Sequence, residues 1–307
     1  MLTGKTFLIS GATGQIGSAL CKRLETLGAQ ILPLVLPGYP RCPRRIHWEA
    51  NTVPISVSGP EELRSLSRPD YVINLHWCVN RESSFVEQVI FETSTNLYSL
   101  EFLWAWLRDV APTRFINVST TKVYSFLNES PVSSRSEPHP VSPYGIAKLT
   151  GEYFFDAYFI NGLPHVVHFR LGPVASFGEH PSKLMSRLFS SLLDGESITV
   201  YTGQYVCLLY IDEAVDFLIN AAFSAQDRRY VVAGDRLLNE DLANRVEAYH
   251  GRGLNARYVN LEPRRSEPHL VTDNSSLYAP WMRRFTTEEW IEELYRIHRS
   301  QRDRTTI

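Results

Sequence analysis

The sequence predicts an α/β fold: a doubly wound parallel (Rossmann) sheet with a smaller C-terminal α/β substrate domain. Three observations predict it. Strand-like and helix-like segments alternate through the first two thirds of the chain, and strands joined by helical crossovers run parallel. The segments 70–75 and 113–119 are strands of continuous apolar character, as expected where both faces are buried. The first strand runs directly into Gly11-Ala12-Thr13-Gly14-Gln15-Ile16-Gly17, after which Ala19, Leu20, Leu24 and Leu27 recur at helical spacing.

That strand, turn and helix has the form of a dinucleotide site. Glycines let the backbone turn sharply and come close to a pyrophosphate, which then lies against the free N–H groups and positive end of the helix. Taken alone, the spacing also suits a tight turn between two buried elements; its place between a clear strand and a clear helix favours the nucleotide. The expected contacts are Gly11, Thr13, Gly14, Gln15, Ile16 and Gly17.

The remaining elements follow in order. A second strand at 30–36 ends in a Pro-Gly turn, and 41–51 is irregular and Arg-rich. A short strand at 53–57 and a short helix at 61–66 precede the strand at 70–75. A single long helix is expected from 85 to 108, apolar nearly all round through Leu97, Leu100, Phe102, Leu103, Trp104, Trp106 and Leu107. Such a helix is buried on more than one side, in the core or at a subunit interface. A long helix at 143–161 and a strand at 165–171 complete this half. Beyond Gly172 the expected helices are 183–194, 212–223, 239–250 and 287–299, with short strands at 198–201, 206–209 and 229–232. The nucleotide domain is assigned to 1–172 and 208–233, the substrate domain to 173–207 and 234–300, and 301–307 to a flexible tail.

Composition narrows the class. The 307 residues are 44% apolar and 12% aromatic, with a net charge of -2. A sizeable core is available, and the interspersed charges give no reason to expect nucleic acid or an anionic membrane. Cys21, Cys42, Cys78 and Cys207 are far apart, without metal-ligand spacing, so no metal is expected and free thiols in a reducing compartment fit. Met1 to Lys5 leads straight into the first strand, no apolar run spans a bilayer, and the expected location is cytoplasmic.

Two further stretches carry chemistry. In Ser142-Pro143-Tyr144-Gly145-Ile146-Ala147-Lys148, Tyr144 and Lys148 are four apart and share a helix face. A phenol normally titrates near pH ~10; a neighbouring ammonium lowers that value and makes proton exchange with an alcohol or carbonyl feasible. By itself Tyr-x-x-x-Lys also occurs on solvated faces. In Phe115-Ile116-Asn117-Val118-Ser119-Thr120, hydroxyls stand at the carboxyl end of a central strand, the edge where ligands of open α/β sheets collect. Ordinary strand-end capping by Ser119 or Thr120 is the alternative.

Together these stretches resemble the short-chain dehydrogenase/reductase superfamily, specifically its extended branch, the NAD-dependent epimerase/dehydratase proteins. Asn74-Leu75-His76, Thr95-Asn96-Leu97, Tyr210-Ile211-Asp212-Glu213 and the stretch from Leu270 to Ser276 also match that pattern. The resemblance implies Tyr144 as catalytic acid-base, Thr120 as its hydroxyl partner with Ser119 in reserve, and Lys148 tuning Tyr144 and holding the nicotinamide ribose. It adds Leu75, His76, Asn96 and Ser119 to the cofactor contacts, and implies a homodimer through the helices starting at Phe85 and Pro143. Substrate loops fall at Trp77, Asn80, Lys122 and Glu179-His180.

Departures refine the expectation. The Asp-Glu pair that 4,6-dehydratases carry after the catalytic Thr is Thr121-Lys122 here, against dehydration of that kind. The second strand ends Val35-Leu36-Pro37 with no acid for the ribose hydroxyls, and Arg41, Arg44 and Arg45 follow. A guanidinium pairs with a 2′-phosphate, which favours NADP over NAD; a solvated basic loop is the alternative. Val206-Cys207 stands where many members of that family carry a diphosphate-binding Arg; Arg264 or Arg265 is a candidate for that role, with an ordinary surface role as the alternative. The leading expectation is a 4-ketoreductase acting on a keto-deoxysugar nucleotide. A sugar-nucleotide epimerase, a reductase of a non-sugar ketone and a non-catalytic cofactor-binding protein are the alternatives.

Overall fold

The structure, a computed structural model, describes residues 2–36, 50–80, 83–128, 131–160, 164–249, 253–260 and 268–305. In chain order the elements are β1 (Thr6–Ser10), α1 (Gln15–Thr26), β2 (Gln30–Val35), β3 (Ile55–Ser56), α2 (Pro60–Arg64), β4 (Tyr71–Asn74), α3 (Phe85–Asn96) and α4 (Glu101–Val110). Then come β5 (Arg114–Thr120), α5 (Pro143–Tyr158), β6 (His165–Leu171), β7 (Val174–Ala175), α6 (Leu184–Asp194), β8 (Ile198–Thr202), β9 (Tyr205–Val206), β10 (Leu209–Tyr210) and α7 (Ile211–Ser224). The chain continues through β11 (Arg229–Val232), β12 (Leu237–Leu238), α8 (Asn239–Ala248), β13 (Ala256–Asn260), α9 (Asn274–Leu277) and α10 (Thr287–Thr305).

Seven strands make one parallel sheet in the order β11-β6-β5-β4-β1-β2-β3. Strand order reverses between β1 and β4, and crevices for ligands open at such a reversal. The pleat sorts side chains onto two cores. On one face Phe7, Ile9, Ile73, Ile116 and Phe169 pack with Leu20 and Leu24 of α1 and Phe217 and Leu218 of α7. On the other, Leu8, Val72, Phe115 and Val166 pack with Trp104 of α4 and Phe155 of α5. A third core lies outside this sheet, with Leu188 and Phe189 of α6, Val200 of β8, Leu242 of α8 and Ile291 of α10.

Two expectations are corrected. The long helix is two: α3 stops at Asn96, a 3₁₀ turn spans Tyr98–Leu100, and α4 starts at Glu101. Polar side chains divert the backbone there. Ser94, Asn96 and Ser99 bond carbonyls one turn back (Ile90, Glu92 and Thr95), the competition that bends helices. The last helix continues to Thr305, beyond position 301 where a flexible tail was expected. Strand β13 pairs in parallel with β8.

Candidate active site

The glycine turn is built on contact distances. Gly11 has φ +71°, which favours glycine, and a Cβ on it would stand 2.8 Å from the backbone N of His76 after β4. A Cβ on Gly17 would stand 2.3 Å from the Gly11 carbonyl oxygen. The turn, α1 and the end of β4 therefore meet closer than any side chain permits. Gly14 caps α1 without a side-chain bond, and no acidic residue lies in the first turn. No carboxylate of its own first turn competes for the positive end of α1, which suits a pyrophosphate there. The residues present fit a dinucleotide.

Helix α5 supplies the reactive side chains. Ser142 caps it, its hydroxyl accepting the Gly145 N–H at 3.1 Å, and Pro143 opens the first turn. Tyr144, Lys148, Glu152 and Asp156 then stand four apart, a single stripe along one face. Each of the last three is tied to the sheet. Lys148 Nζ donates to the Val118 carbonyl at 2.8 Å. Glu152 accepts from Ser119 Oγ at 2.6 Å and from Arg170 of β6 at 2.7 and 3.0 Å. Asp156 lies 3.1 Å from His168 Nε2 and accepts from Arg229 at 2.8 Å.

The sheet surface beneath this stripe is polar. Ser10, Asn74, Asn117 and His168 are cross-strand neighbours in register, all buried. Ser10 donates to Asn74 Oδ1 at 2.5 Å, Asn74 Nδ2 to Asn117 Oδ1 at 3.2 Å, and Asn117 Nδ2 lies 3.2 Å from His168 Nδ1. The ladder runs from the residue before the glycine turn to Asp156 on the helix that carries Tyr144.

A cleft of about 870 Å³ opens over the carboxyl ends of β1, β4 and β5. Gln15, Ile16, Leu75, Trp77, Ser119, Thr120, Lys122, Tyr144, Lys148 and His180 all line it. Thr120 Oγ1 accepts the Lys122 N–H at 3.2 Å, which leaves its own proton to donate. Ser119, the reserve candidate, turns its hydroxyl to Glu152. Gln15 reaches across to the Phe177 carbonyl at 2.8 Å. Asn96 clamps the backbone N–H and C=O of Cys78 at 2.6 and 2.9 Å, and Asn80 donates to Ser83 at 2.7 Å. His180 accepts the Ser182 N–H at 3.1 Å. Arg41, Arg44, Arg45, Arg264 and Arg265 lie outside the described residues.

Electrostatics sets these groups apart. Burial drives Lys148 down to about 7, against the pull of the Glu92 and Glu152 carboxylates. Burial also raises Glu179, on the cleft wall, to about 7, although the Ser186 N–H and Lys183 favour its charged form. For Glu152 burial is outweighed by Arg170, with His168 and Ser119 adding to it, and its carboxyl sits below the usual range. Sequence reasoning missed Glu92, Glu152 and Arg170. Glu152 was within reach, one turn after Lys148 on the same face. Among the described residues no group of His, Cys, Asp and Glu is arranged to hold a metal, and no helix is long and apolar enough to cross a membrane.

A doubly wound sheet with a glycine turn at its switch point and a tyrosine–lysine helix beside it defines a dinucleotide-dependent enzyme of the extended short-chain dehydrogenase/reductase type. A sequence profile of the NAD dependent epimerase/dehydratase family matches residues 7–233, and the chain belongs to that family. It is 26% identical over 270 residues to a probable dTDP-glucose 4,6-dehydratase of Sinorhizobium fredii, covering 78% of this chain and 74% of that one. Among solved structures it is similar to TunA, an NAD-dependent NDP-hexosamine 5,6-dehydratase involved in tunicamycin biosynthesis, with a TM-score of 0.78, 22% identity and coverage of 96% and 98%. It is also similar to the UDP-glucuronic acid 4-epimerase of Bacillus cereus, solved with UDP-glucuronic acid and NAD, with a TM-score of 0.77, 20% identity and coverage of 96% and 99%.

Proposed function

We propose that this enzyme moves a hydride between a nicotinamide dinucleotide and a carbinol or carbonyl carbon of a nucleotide sugar. The observation that carries the reading is the α5 stripe, with Tyr144 and Lys148 on the cleft wall beside Thr120 and facing the glycine turn. The dinucleotide supplies the hydride acceptor or donor. Gly11, Gly14, Gln15, Ile16 and Gly17 hold its pyrophosphate end, and Lys148 its ribose. Tyr144 passes the proton to or from the substrate oxygen, Thr120 orients that oxygen with its hydroxyl, and the Lys148 ammonium stabilises the Tyr144 phenolate.

Within this reading the reaction is 4-ketoreduction of a keto-deoxysugar nucleotide. A sugar-nucleotide 4-epimerase is the second reading, favoured by the relative from Bacillus cereus. On the adenosine side the reading is NADP over NAD, because β2 runs out at Val35-Leu36 without a carboxylate and an Arg-rich stretch follows. Calorimetric titration is expected to give tighter binding for NADP; equal or tighter binding of NAD overturns that preference.

The test of the reaction is Tyr144→Phe, assayed with a panel of nucleotide-diphosphate sugars and their 4-keto forms. Turnover is expected to fall about 10²- to 10⁴-fold with cofactor affinity retained. Unchanged turnover refutes the proton relay, and no affinity for any nucleotide diphosphate refutes the substrate class. Stoichiometric NADPH consumption identifies the ketoreductase, whereas interconversion without net consumption identifies the epimerase. The exposed apolar residues Phe85, Val86 and Ile90 of α3 and Tyr153 of α5 support a homodimer through these two helices.

A further inference from the structure

Trp77 follows β4, on the cleft wall, and three contacts fix its ring. The indole N–H donates to Glu92 Oε2 at 3.1 Å, and Glu92 lies on α3 with no exposed surface. The ring edge seats against α5 at Gly151, where a Cβ would stand only 3.1 Å from Cη2. The ring face carries Lys148, whose Nζ is 4.2 Å from the ring centroid, well within the distance at which an ammonium is drawn to an aromatic face.

We propose that Trp77 and Glu92 are positioning residues for Lys148: the indole, locked by the Glu92 carboxylate and the Gly151 notch, supports the ammonium from below and sets its direction along α5. This rests on the assignment of Lys148 to the proton relay. An indole that merely filled space would need neither a buried carboxylate at its N–H nor a bare backbone against its edge. The contacts come from two helices, Glu92 of α3 and Gly151 and Lys148 of α5, and all three converge on one side chain.

Among the described residues the charged and titratable groups around Lys148 are few. Glu92 faces it from α3, Glu152 and Tyr144 share its own helix, and Arg170 of β6 is held on the far side of Glu152. From β5 it meets the Val118 carbonyl. Burial favours the neutral amine, and among the described residues the Glu92 and Glu152 carboxylates, the Val118 carbonyl and the indole face keep the nitrogen charged. Removing either the face or the Glu92 charge shifts the balance toward the free amine.

The test reads Lys148 directly. Reductive methylation by formaldehyde and a borane requires the neutral amine, and peptide-level mass spectrometry after the folded purified protein has been modified at each pH gives the midpoint of modification at this residue. In Trp77→Leu, which removes the face, and in Glu92→Gln, which removes the charge but keeps an acceptor for the indole, the midpoint is expected to fall by about one pH unit. Trp77→Phe keeps an aromatic face and is expected to stay close to the unsubstituted protein. An unchanged midpoint in Glu92→Gln, or a shift in Trp77→Phe as large as in Trp77→Leu, overturns the proposal. If Trp77→Leu does not fold, the other two variants decide it. The measurement needs neither substrate nor turnover, so shifted midpoints in a protein inactive on every nucleotide sugar would refute the proposed reaction and leave the positioning intact.

Discussion

Lys148 is an ammonium that water scarcely reaches, 4% exposed between Trp77, the Val118 carbonyl and two carboxylates. Its value of about 7 lies below the 10.5 of an ordinary lysine. The unfolded chain therefore binds a proton that the folded chain lacks throughout that interval, and stability rises with pH between about 7 and 10.5. Below 7 the lysine is charged in both states and the cost of burying it is present in full. Lys148→Met is expected to abolish turnover while raising the melting temperature of the cofactor-free protein. The gain should be greatest at or below pH 7 and gone near pH 10.5. Thermal melts across that range check it, and a destabilised variant at pH 7 would show that its hydrogen bond and ring contact outweigh burial.

Helix α5 is the element whose placement decides the site. Phe155 and the residue that caps the helix at its carboxyl end, Phe159, anchor it on Phe115, but greasy contacts are tolerant of sliding. Glu152 on Ser119 and Arg170, and Asp156 on Arg229, fix the axial position at which both carboxylates meet their guanidinium partners. A buried polar group left without its partner costs about 1–3 kcal/mol. Asn117→Leu interrupts the ladder at its middle and strips both Asn74 and His168 of a partner, so a loss of about 2–4 kcal/mol is expected in denaturant unfolding. Serine at the same site, able to bond one neighbour, should lose less. The sequence made β5 readable as a buried strand and made Tyr144 and Lys148 readable as a pair. It did not reveal the ladder, because Ser10, Asn74, Asn117 and His168 lie in four different strands and only register brings them into one row. The split between α3 and α4 escaped for a related reason: periodicity runs on through 97–100, while the side-chain bonds of Ser94, Asn96 and Ser99 that interrupt the helix leave no periodic trace.

At the scale of the whole molecule, the two outer faces of α3 and α5 expose Val86 (64%), Ile90 (62%) and Tyr153 (58%), more apolar surface than a free helix face favours. A double substitution, Val86→Lys with Ile90→Lys, is expected to give a monomer by sedimentation with the fold retained; an unchanged sedimentation profile would place any dimer elsewhere. The fold class itself was determined by the sequence alone, because buried parallel strands and a glycine turn are local patterns, readable from neighbours along the chain. Tyr144 and Lys148 were readable for the same reason, being one helical turn apart. Tertiary structure alone decided what surrounds them: Trp77 beneath Lys148, Glu92 behind Trp77, Glu152 on Arg170. Those partners are separated by 15 to 71 positions in sequence, and no periodicity links them. Only the strand order, which brings the ends of β4, β5 and β6 under one face of α5, puts them within hydrogen-bond reach.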